Sequence, residues 1–154
     1  MLGTSSRLHA VRYKRAFEAY LKEKGYADVG VLVAFSGTVK DPDTDLEYTE
    51  PGMNMDKAGK RISESALRDA FDGDDFQLLL VANKFQTGFD QPLLCGMYVD
   101  KRLAGIQAVQ TLSRLNRAHP GKDTTYVVDF VNAVSYTHLR AHETVLELVC
   151  RLLL

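Results

Sequence analysis

The chain has 154 residues, of which 45% are hydrophobic and 25% are charged, and its formal net charge is −1. This length and balance favour one globular domain with a buried core and exclude a disordered or fibrous protein. The near-neutral charge excludes a global basic field, so any contact with nucleic acid must be local. Two distant cysteines form neither a disulfide framework nor a metal pair, and they are typical of a reducing compartment. The sequence shows no signal peptide and no apolar run of membrane-spanning length, so no membrane partner is expected.

The first third of the sequence predicts a strand, a helix and a second strand. The opening stretch MLGT is typical of half a strand, as if the first strand were truncated. Residues 7–24 carry apolar side chains at helical spacing, with Ser5 or Ser6 as a cap at the start and Gly25 after the end. Residues 29–35, VGVLVAF, form a continuous apolar run, which predicts a strand buried on both faces.

Residues 37–61 are polar and rich in charges, and they predict a long surface loop. Within them DPDTDL, residues 41–46, imitates the start of a calcium-binding loop. Position six is Leu46 where such loops have glycine, and position twelve is Gly52 where they have glutamate. We therefore interpret this stretch as a solvated acidic loop and predict no metal site in it.

The remaining elements alternate between helix and strand. The pattern predicts a short helix over 63–72, strands over 76–82 and 93–100, a helix over 103–117 and a last strand over 124–131. Apolar strands alternating with helices favour a parallel sheet covered by helices, which is an α/β fold. In such sheets the functional residues lie on loops at the carboxyl ends of the strands.

Polar side chains form a stripe on the helix predicted over 103–117. Gln107, Gln110, Arg114 and Arg117 recur at the spacing of one helical face. The apolar positions that cover the rest of this helix are Leu103, Ile106, Leu112 and Leu115. Taken alone, the stripe favours a solvated face over a binding site.

A second polar stretch, VANKFQTGFDQP at 81–92, follows a buried strand. Thr87 could contact phosphate oxygens, Gly88 allows a close approach of the backbone to a ligand, and Asp90 could accept hydrogen bonds from a ribose. The alternative is a turn in which Asp90 caps local N–H groups.

A third polar stretch, GTSSRLH at 3–9, follows the truncated first strand. Its hydroxyl groups could bind a phosphate, but capping of the helix that starts at Arg7 explains them equally well.

Together the three stretches resemble a known family. LGTSSRLHA, LLLVANKFQTGFDQPLL and QTLSRLNR resemble motifs IV, V and VI of superfamily 2 helicases and translocases, in that order. VANKFQTGFDQP and QTLSRLNRAHPGK followed by VVDFVN resemble, more narrowly, the second motor domain of the type I restriction enzyme R subunit. The resemblance covers residues 2–132. It implies that residues 1–132 form a RecA-like domain, a P-loop NTPase-type parallel sheet flanked by helices.

The resemblance also implies roles for individual residues. It implies that Arg114 and Arg117 are arginine fingers that neutralise charge on the γ-phosphate of ATP, worth about 10³–10⁵ in rate in comparable systems. Nucleotide-binding positions would be Gln110, Asp90 and Gly88, and DNA-backbone contacts would come from Thr87, Ser5, Ser6 and Arg7. The cofactors that the resemblance implies are ATP and Mg²⁺. It also implies that the Mg²⁺ ligands lie in the first motor domain, which is absent here, and the sequence has no G-x-x-x-x-G-K-[ST] motif.

The implied function is part of the ATP-dependent DNA translocase of a type I restriction endonuclease. Its implied partners are double-stranded DNA, the first RecA-like and nuclease domains, and the methylase and specificity subunits. On its own this fragment is expected to be inactive, because half of the ATP site is missing. Two alternatives stay open: another superfamily 2 helicase acting on DNA or RNA, and a non-enzymatic RecA-like module that binds nucleic acid or a partner.

The tail, residues 133–154, does not fit the domain. VSYTHLRAHET and LVCRLLL resemble the translation of the two fixed stretches of a sequencing-library adapter around a variable index, with Glu147 as the one departure. We interpret the tail as an adapter-derived artefact. His138, His142 and Cys150 are therefore discounted as metal ligands. The apolar residues of the tail recur at helical spacing, so a spurious C-terminal helix is expected.

Overall fold

A computed structural model of the chain describes residues 1–85, 89–104, 106–115 and 117–131. In chain order its elements are β1 (Leu2–Thr4), α1 (Arg7–Lys24), β2 (Val31–Ala34), β3 (Thr38–Lys40), β4 (Glu47–Thr49), α2 (Glu50–Met53), α3 (Leu67–Asp72), β5 (Leu78–Val81), β6 (Gly96–Asp100), α4 (Ile106–Leu112), a 3-10 helix (Ser113–Leu115) and β7 (Tyr126–Asp129). The adapter-like tail, its expected helix and its histidines lie outside the described residues, as do Thr87 and Gly88.

The main sheet has the strand order β2-β5-β1-β6-β7, and every neighbouring pair is parallel. The three-residue strand β1 is central, with Gly3 in register with Val81 of β5 and Val99 of β6. This parallel sheet flanked by helices confirms the α/β, RecA-like fold predicted from the sequence. Because the strands are parallel, β1, β5 and β6 end at the same edge of the sheet, which we call the carboxyl edge.

Helix α1 begins and ends where the sequence predicts. Ser6 Oγ accepts a hydrogen bond from the His9 backbone N–H at 3.1 Å, which satisfies one of the unpaired donors at the helix start. Gly25 ends the helix in the left-handed conformation with φ of 73°, which glycine adopts without the steric cost that a side chain brings. Both ends of the helix are therefore fixed by local sequence.

Two layers of apolar side chains sandwich the sheet. Successive residues of a strand point to opposite faces, so the apolar run at Val31–Ala34 supplies both layers and is buried throughout. One layer packs beneath α1, with Val11, Val33 and Leu80 at its centre. The other contains Leu32, Leu79, Met97, Leu67 and Phe89. The strand buried on both faces, predicted from the continuous apolar run, is confirmed.

The predicted long surface loop over 37–61 is wrong in part. It contains the antiparallel hairpin β3–β4 and the helix α2, and it carries buried polar residues. Asn54 is fully buried, with Oδ1 accepting from Val33 N–H at 2.9 Å and Nδ2 donating to Val33 C=O at 2.7 Å. The segment therefore covers the outer side of β2, through contacts that lie too far apart in sequence for a local pattern to show.

The acidic stretch at 41–46 is not uniformly solvated, which corrects the interpretation from sequence. Asp41 is 2% exposed, and its Oδ1 accepts from Arg12 Nη2 at 2.7 Å. Asp43 and Asp45 are exposed, as expected for a solvated loop. Asp41 thus joins the hairpin segment to α1.

The Arg12–Asp41 pair predicts an acid dependence of stability. The hydrogen bond from Arg12 lowers the pKa of Asp41. A depressed pKa in the folded state adds stability above the unfolded pKa, about 4 for aspartate, and this stability is lost as the pH falls through the folded value. We expect Asp41→Asn to flatten the fall in unfolding free energy below about pH 4, as measured by denaturant titration. Asp28→Asn, at an exposed position, is the control, and an unchanged slope in Asp41→Asn would contradict the prediction.

Gly30 lies where β2 and the segment before β5 come together. A Cβ at Gly30 would stand 2.0 Å from the carbonyl oxygen of Asp75, and the Gly30 carbonyl accepts from the N–H groups of Gln77 and Leu78. Two backbones therefore meet here without room for a methyl group. We expect Gly30→Ala to cost at least about 1–3 kcal/mol of unfolding free energy. The control is Gly96→Ala, because a Cβ at Gly96 meets no atom within 4 Å. Equal denaturation midpoints for the two variants would show that the clash is relieved without cost.

Two predicted helices are shorter than expected. The helix predicted over 63–72 begins at Leu67, and Ser63 Oγ accepts from Ala66 N–H at 3.3 Å within the turn that precedes it. The helix predicted over 103–117 is α4 followed by the 3-10 helix, so Arg117 lies beyond the helical residues and the predicted continuous stripe is interrupted. Ile106, predicted to be on the apolar side, is 74% exposed. No helix in the described part of the chain is both long and apolar enough to cross a membrane.

Candidate functional site

The loops after β1 and β5 are joined at the carboxyl edge by a buried hydroxyl group. Thr4 is fully buried, and its hydroxyl group donates a bifurcated hydrogen bond to the carbonyl oxygens of Val81 and Ser6, both at 3.1 Å. Two of the three polar stretches found in the sequence are thereby held side by side. Thr4 is not among the site residues predicted from the sequence, although a threonine at the end of an otherwise apolar strand was the available signal.

The third polar stretch reaches the second through its two arginines. Arg114 Nη1 donates to the carbonyl oxygen of Phe89 at 2.8 Å. Arg117 Nη1 lies 3.4 Å from Asp90 Oδ2, and both side chains are more than half exposed. Both guanidinium groups therefore contact the Phe89–Asp90 segment, which brings together Arg114, Arg117 and Asp90 from the set predicted by the sequence.

The charges at this contact are unbalanced. Burial, and then repulsion from the Arg117 charge, lowers the pKa of Arg114, yet an arginine stays protonated at neutral pH. Two cations thus contact a segment that carries one carboxylate. Only Arg117 pairs with that carboxylate, at 3.4 Å, and an exposed pair of this kind is weak. Arginine presents planar, charged donors that match phosphate oxygens. The arrangement therefore presents donors of the kind that phosphate groups accept.

Buried side chains hold the Phe89–Asp90 segment in place. Phe89 is buried, with its ring centroid 4.9 Å from that of Phe85 and 6.1 Å from that of Phe71. Gln91 is also buried, donating from Nε2 to Asp72 Oδ1 and accepting from Leu93 N–H. Phe89 and Gln91, which hold the backbone that the arginines contact, are not among the site residues predicted from the sequence.

An ion cluster holds the turn that follows β5. Lys84 Nζ lies 2.9 Å from each carboxylate oxygen of Glu50 and 2.5 Å from Glu64 Oε1. The neighbouring residues Asn83 and Phe85 have positive φ values of 55° and 58°, a region that non-glycine residues seldom adopt. The cluster therefore stabilises an unusual backbone conformation close to the predicted site.

Burial decides the direction of the pKa shift of Glu50, and the hydrogen bonds to carboxylates decide that of Lys84. Glu50 Oε2 also accepts from the Phe35 N–H at 2.7 Å, but burial outweighs these hydrogen bonds and raises the pKa of Glu50. For Lys84, burial favours the neutral form, and the hydrogen bonds to Glu64 and Glu50 overcome it, so the pKa of Lys84 is raised. No local sequence pattern indicates this cluster, because Glu50 and Lys84 are far apart in the chain.

The residues of the first polar stretch serve local structure. Ser6 caps α1, Ser5 Oγ lies 2.6 Å from His9 Nδ1, and Arg7 Nη1 donates to the Ser36 carbonyl at 2.9 Å. Ser5 and Arg7 are exposed at the carboxyl edge. The capping role that the sequence left open for Ser6 is thus the one observed.

The other predicted site residues contribute less to this geometry. Gln110 is exposed on α4, and its backbone carbonyl accepts from Ser113 Oγ at 3.3 Å. Thr87 and Gly88 lie outside the described residues. Within the described ranges, no group of three or more His, Cys, Asp or Glu side chains is placed to hold a metal ion.

Comparison with known proteins places the chain in a family. A family model described as type I restriction enzyme subunit R domain 3 matches residues 53–132. This range includes the Phe89–Asp90 segment and both arginines, whereas Ser5, Ser6 and Arg7 precede it.

Two curated proteins of Methanocaldococcus jannaschii are similar to the chain. The first, named "Putative type I restriction enzyme MjaVIIP endonuclease subunit", is 29% identical over 136 residues, which cover 85% of this chain and 13% of that protein. The second, the similarly named MjaVIIIP endonuclease subunit, is 25% identical over 151 residues, covering 93% of this chain and 14% of that protein. The family model matches just over half of the chain, and we conclude that the chain belongs to the type I restriction enzyme subunit R family.

Proposed function

We propose that this chain is the second RecA-like motor domain of a type I restriction endonuclease R subunit and works in ATP-driven DNA translocation. The observation that carries the proposal is the contact of Arg114 and Arg117 with the Phe89–Asp90 segment, which lies in the connection between β5 and β6. In open α/β sheets ligands bind beyond the carboxyl ends of the strands, and the Phe89–Asp90 segment follows strand β5 in the chain.

The residues of the chain fit half of a nucleotide site. Arg114 and Arg117 would contact the terminal phosphate, with Gln110, Asp90 and Gly88 completing this wall. ATP supplies the phosphoryl group whose transfer to water releases the free energy for movement. Mg²⁺ would be held by the first motor domain, since the sequence of this chain has no P-loop motif. The other wall would come from the first motor domain.

The DNA contact would be local and directed at the phosphate backbone. Thr87, Ser5, Ser6 and Arg7 are the proposed residues, and the exposed Ser5 and Arg7 lie at the carboxyl edge. A net charge of −1 argues against strong binding of DNA by this domain alone. Backbone contacts carry no sequence information, which suits a motor that moves along any sequence.

The whole-protein activity needs more than this chain, which spans 13% and 14% of the relatives described above. We propose that the remaining parts include the first motor domain and a nuclease domain, with methylase and specificity subunits as partners in the cytoplasm of a bacterium or archaeon. The chain alone would neither hydrolyse ATP nor cleave DNA, because the proposed arginine fingers have no opposing wall.

The test is an ATPase and translocation assay on the complete R subunit assembled with its methylase and specificity subunits. We expect hydrolysis to require double-stranded DNA and to accompany displacement of a DNA-bound third strand. The isolated 154-residue chain is the matched control and should show no activity. Stimulation by RNA instead of double-stranded DNA would favour a helicase of another kind. ATP hydrolysis by the isolated chain would refute the proposed division of the site.

A further inference from the structure

Lys122 lies in the loop after Arg117 and uses all of its side-chain donors. Its Nζ donates to the carbonyl oxygens of Leu115 at 2.8 Å, Pro92 at 3.0 Å and Arg117 at 3.0 Å. A lysine ammonium has three N–H groups, so each finds an acceptor. The backbone N–H of Lys122 also donates to the His119 carbonyl at 3.0 Å, which closes the turn that contains Gly121.

These three carbonyl groups belong to two segments of the candidate site, the one that carries Asp90 and the one that carries Arg117. Pro92 lies two residues after Asp90, whereas Leu115 ends the 3-10 helix and Arg117 carries one of the two guanidinium groups. Carbonyl groups at a helix end have no partner within the helix and attract a cation. The ammonium group therefore joins the backbone on which Asp90 is placed to the backbone on which Arg117 is placed.

We propose that Lys122 is a positioning residue that fixes Arg117 beside Asp90, so that the guanidinium group is aligned for the terminal phosphate. The proposal rests on the function proposed above and adds to it a residue that the site did not include. Lys122 touches no reacting group in this scheme and acts through the backbone of Arg117.

The shape of the lysine head group suits this task. Its three donors point in tetrahedral directions toward three separate carbonyl groups, whereas an arginine presents its donors in one plane. Methionine has a similar length and no donor, so Lys122→Met would leave the three carbonyl groups without this partner. Lys122→Arg keeps the charge but changes the geometry, and we expect it to restore only part of the function.

The test measures kcat and KM for ATP in the complete R subunit, assembled with its partner subunits and DNA. We expect Lys122→Met to lower kcat by about 10²-fold, the effect of a displacement near 1 Å, with KM for ATP nearly unchanged. Lys60→Met, at an exposed position, is the control and should leave both constants unchanged.

A double-mutant cycle with Arg117→Ala separates positioning from general loss of structure. If Lys122 acts through Arg117, Lys122→Met lowers kcat no further once Arg117 is alanine. Additive losses in the double variant would overturn the positioning role, as would full kcat in Lys122→Met alone. Full activity in Arg117→Ala would overturn the proposed function as well, so the two failures are distinguishable.

Amide hydrogen exchange on the same complexes gives a readout besides activity. We expect Lys122→Met to speed exchange at amides of residues 89–95 and 113–119 and to leave α1 and β2 unchanged. Unchanged exchange at both segments would overturn the proposal, and faster exchange throughout the domain would show general destabilisation and would also overturn it.

Discussion

Arg117→Ala in the complete R subunit is expected to slow ATP-dependent translocation by about 10³–10⁵-fold, the effect of an arginine finger in related phosphoryl-transfer systems. The physical reason is that charge developing on the transferred phosphoryl group would lose its cationic partner in a site where water cannot replace it. DNA binding should be largely intact, because the proposed DNA contacts lie in other loops. Stopped-flow measurement of ATP hydrolysis and a filter-binding titration with DNA check the two parts separately.

The matched control for Arg117→Ala is Arg102→Ala, which removes an exposed arginine that lies before α4. Arg117→Lys is the conservative variant, since it keeps a positive charge without the planar donors. We expect Arg102→Ala to behave as the wild type and Arg117→Lys to remain strongly impaired. Hydrolysis at the wild-type rate in Arg117→Ala would remove the basis for the motor assignment.

Lys84→Met is expected to cost about 3–5 kcal/mol of unfolding free energy, the usual effect of removing one partner from a buried ion pair. The side chain of Glu50 is 3% exposed and that of Lys84 is 14% exposed. Without Lys84, Glu50 would keep a buried charge, and of the hydrogen bonds described above only the one from the Phe35 N–H would remain. Chemical denaturation of the 154-residue chain, followed by circular dichroism, measures this loss.

The loss in Lys84→Met should shrink at acidic pH. Burial already raises the pKa of Glu50, and removal of the lysine would raise it further. A group whose folded pKa is raised adds stability below its unfolded pKa and loses that stability as the pH rises through the folded value. Protonation of Glu50 in acid therefore removes the uncompensated buried charge, and the variant loses less unfolding free energy there.

The control for Lys84→Met is Lys40→Met, which breaks the exposed pair between Lys40 and Asp45 at 2.6 Å. An exposed pair is worth at most about 1 kcal/mol, so this variant should unfold close to the wild type. The double variant Glu50→Gln with Lys84→Met should recover part of the loss, since no uncompensated charge stays buried. A single-variant cost equal to that of Lys40→Met would show that the cluster does not stabilise the turn after β5.

The features that the sequence predicted well are those with local causes. The bounds of α1 follow from Ser6 and Gly25, which act on the nearest backbone groups. The buried strands follow from runs of apolar residues, and the parallel sheet follows from their alternation with helices. The resemblance to motifs V and VI also placed Asp90 and the two arginines in one predicted nucleotide site.

The features that the sequence missed depend on contacts between distant residues. The end of the helix that carries Arg114 is one example, because Arg114 donates to Phe89 and Lys122 binds the carbonyl of Leu115. Such tertiary contacts accompany a 3-10 turn where periodicity predicts a continuing α-helix. Glu50 and Asn54 are further examples, since a polar stretch is typical of a surface loop unless its partners are known.

The hydrogen bonds of Asn54 also bear on association between copies of the protein. An outer strand normally offers free N–H and C=O groups to which a strand of another molecule can add, and this is a common route to aggregation. Strand β2 is apolar along its whole length, so it would be an attractive template for such growth. The Asn54 side chain pairs with both the N–H and the C=O group of Val33, so these two groups are not free to pair with a strand of another molecule.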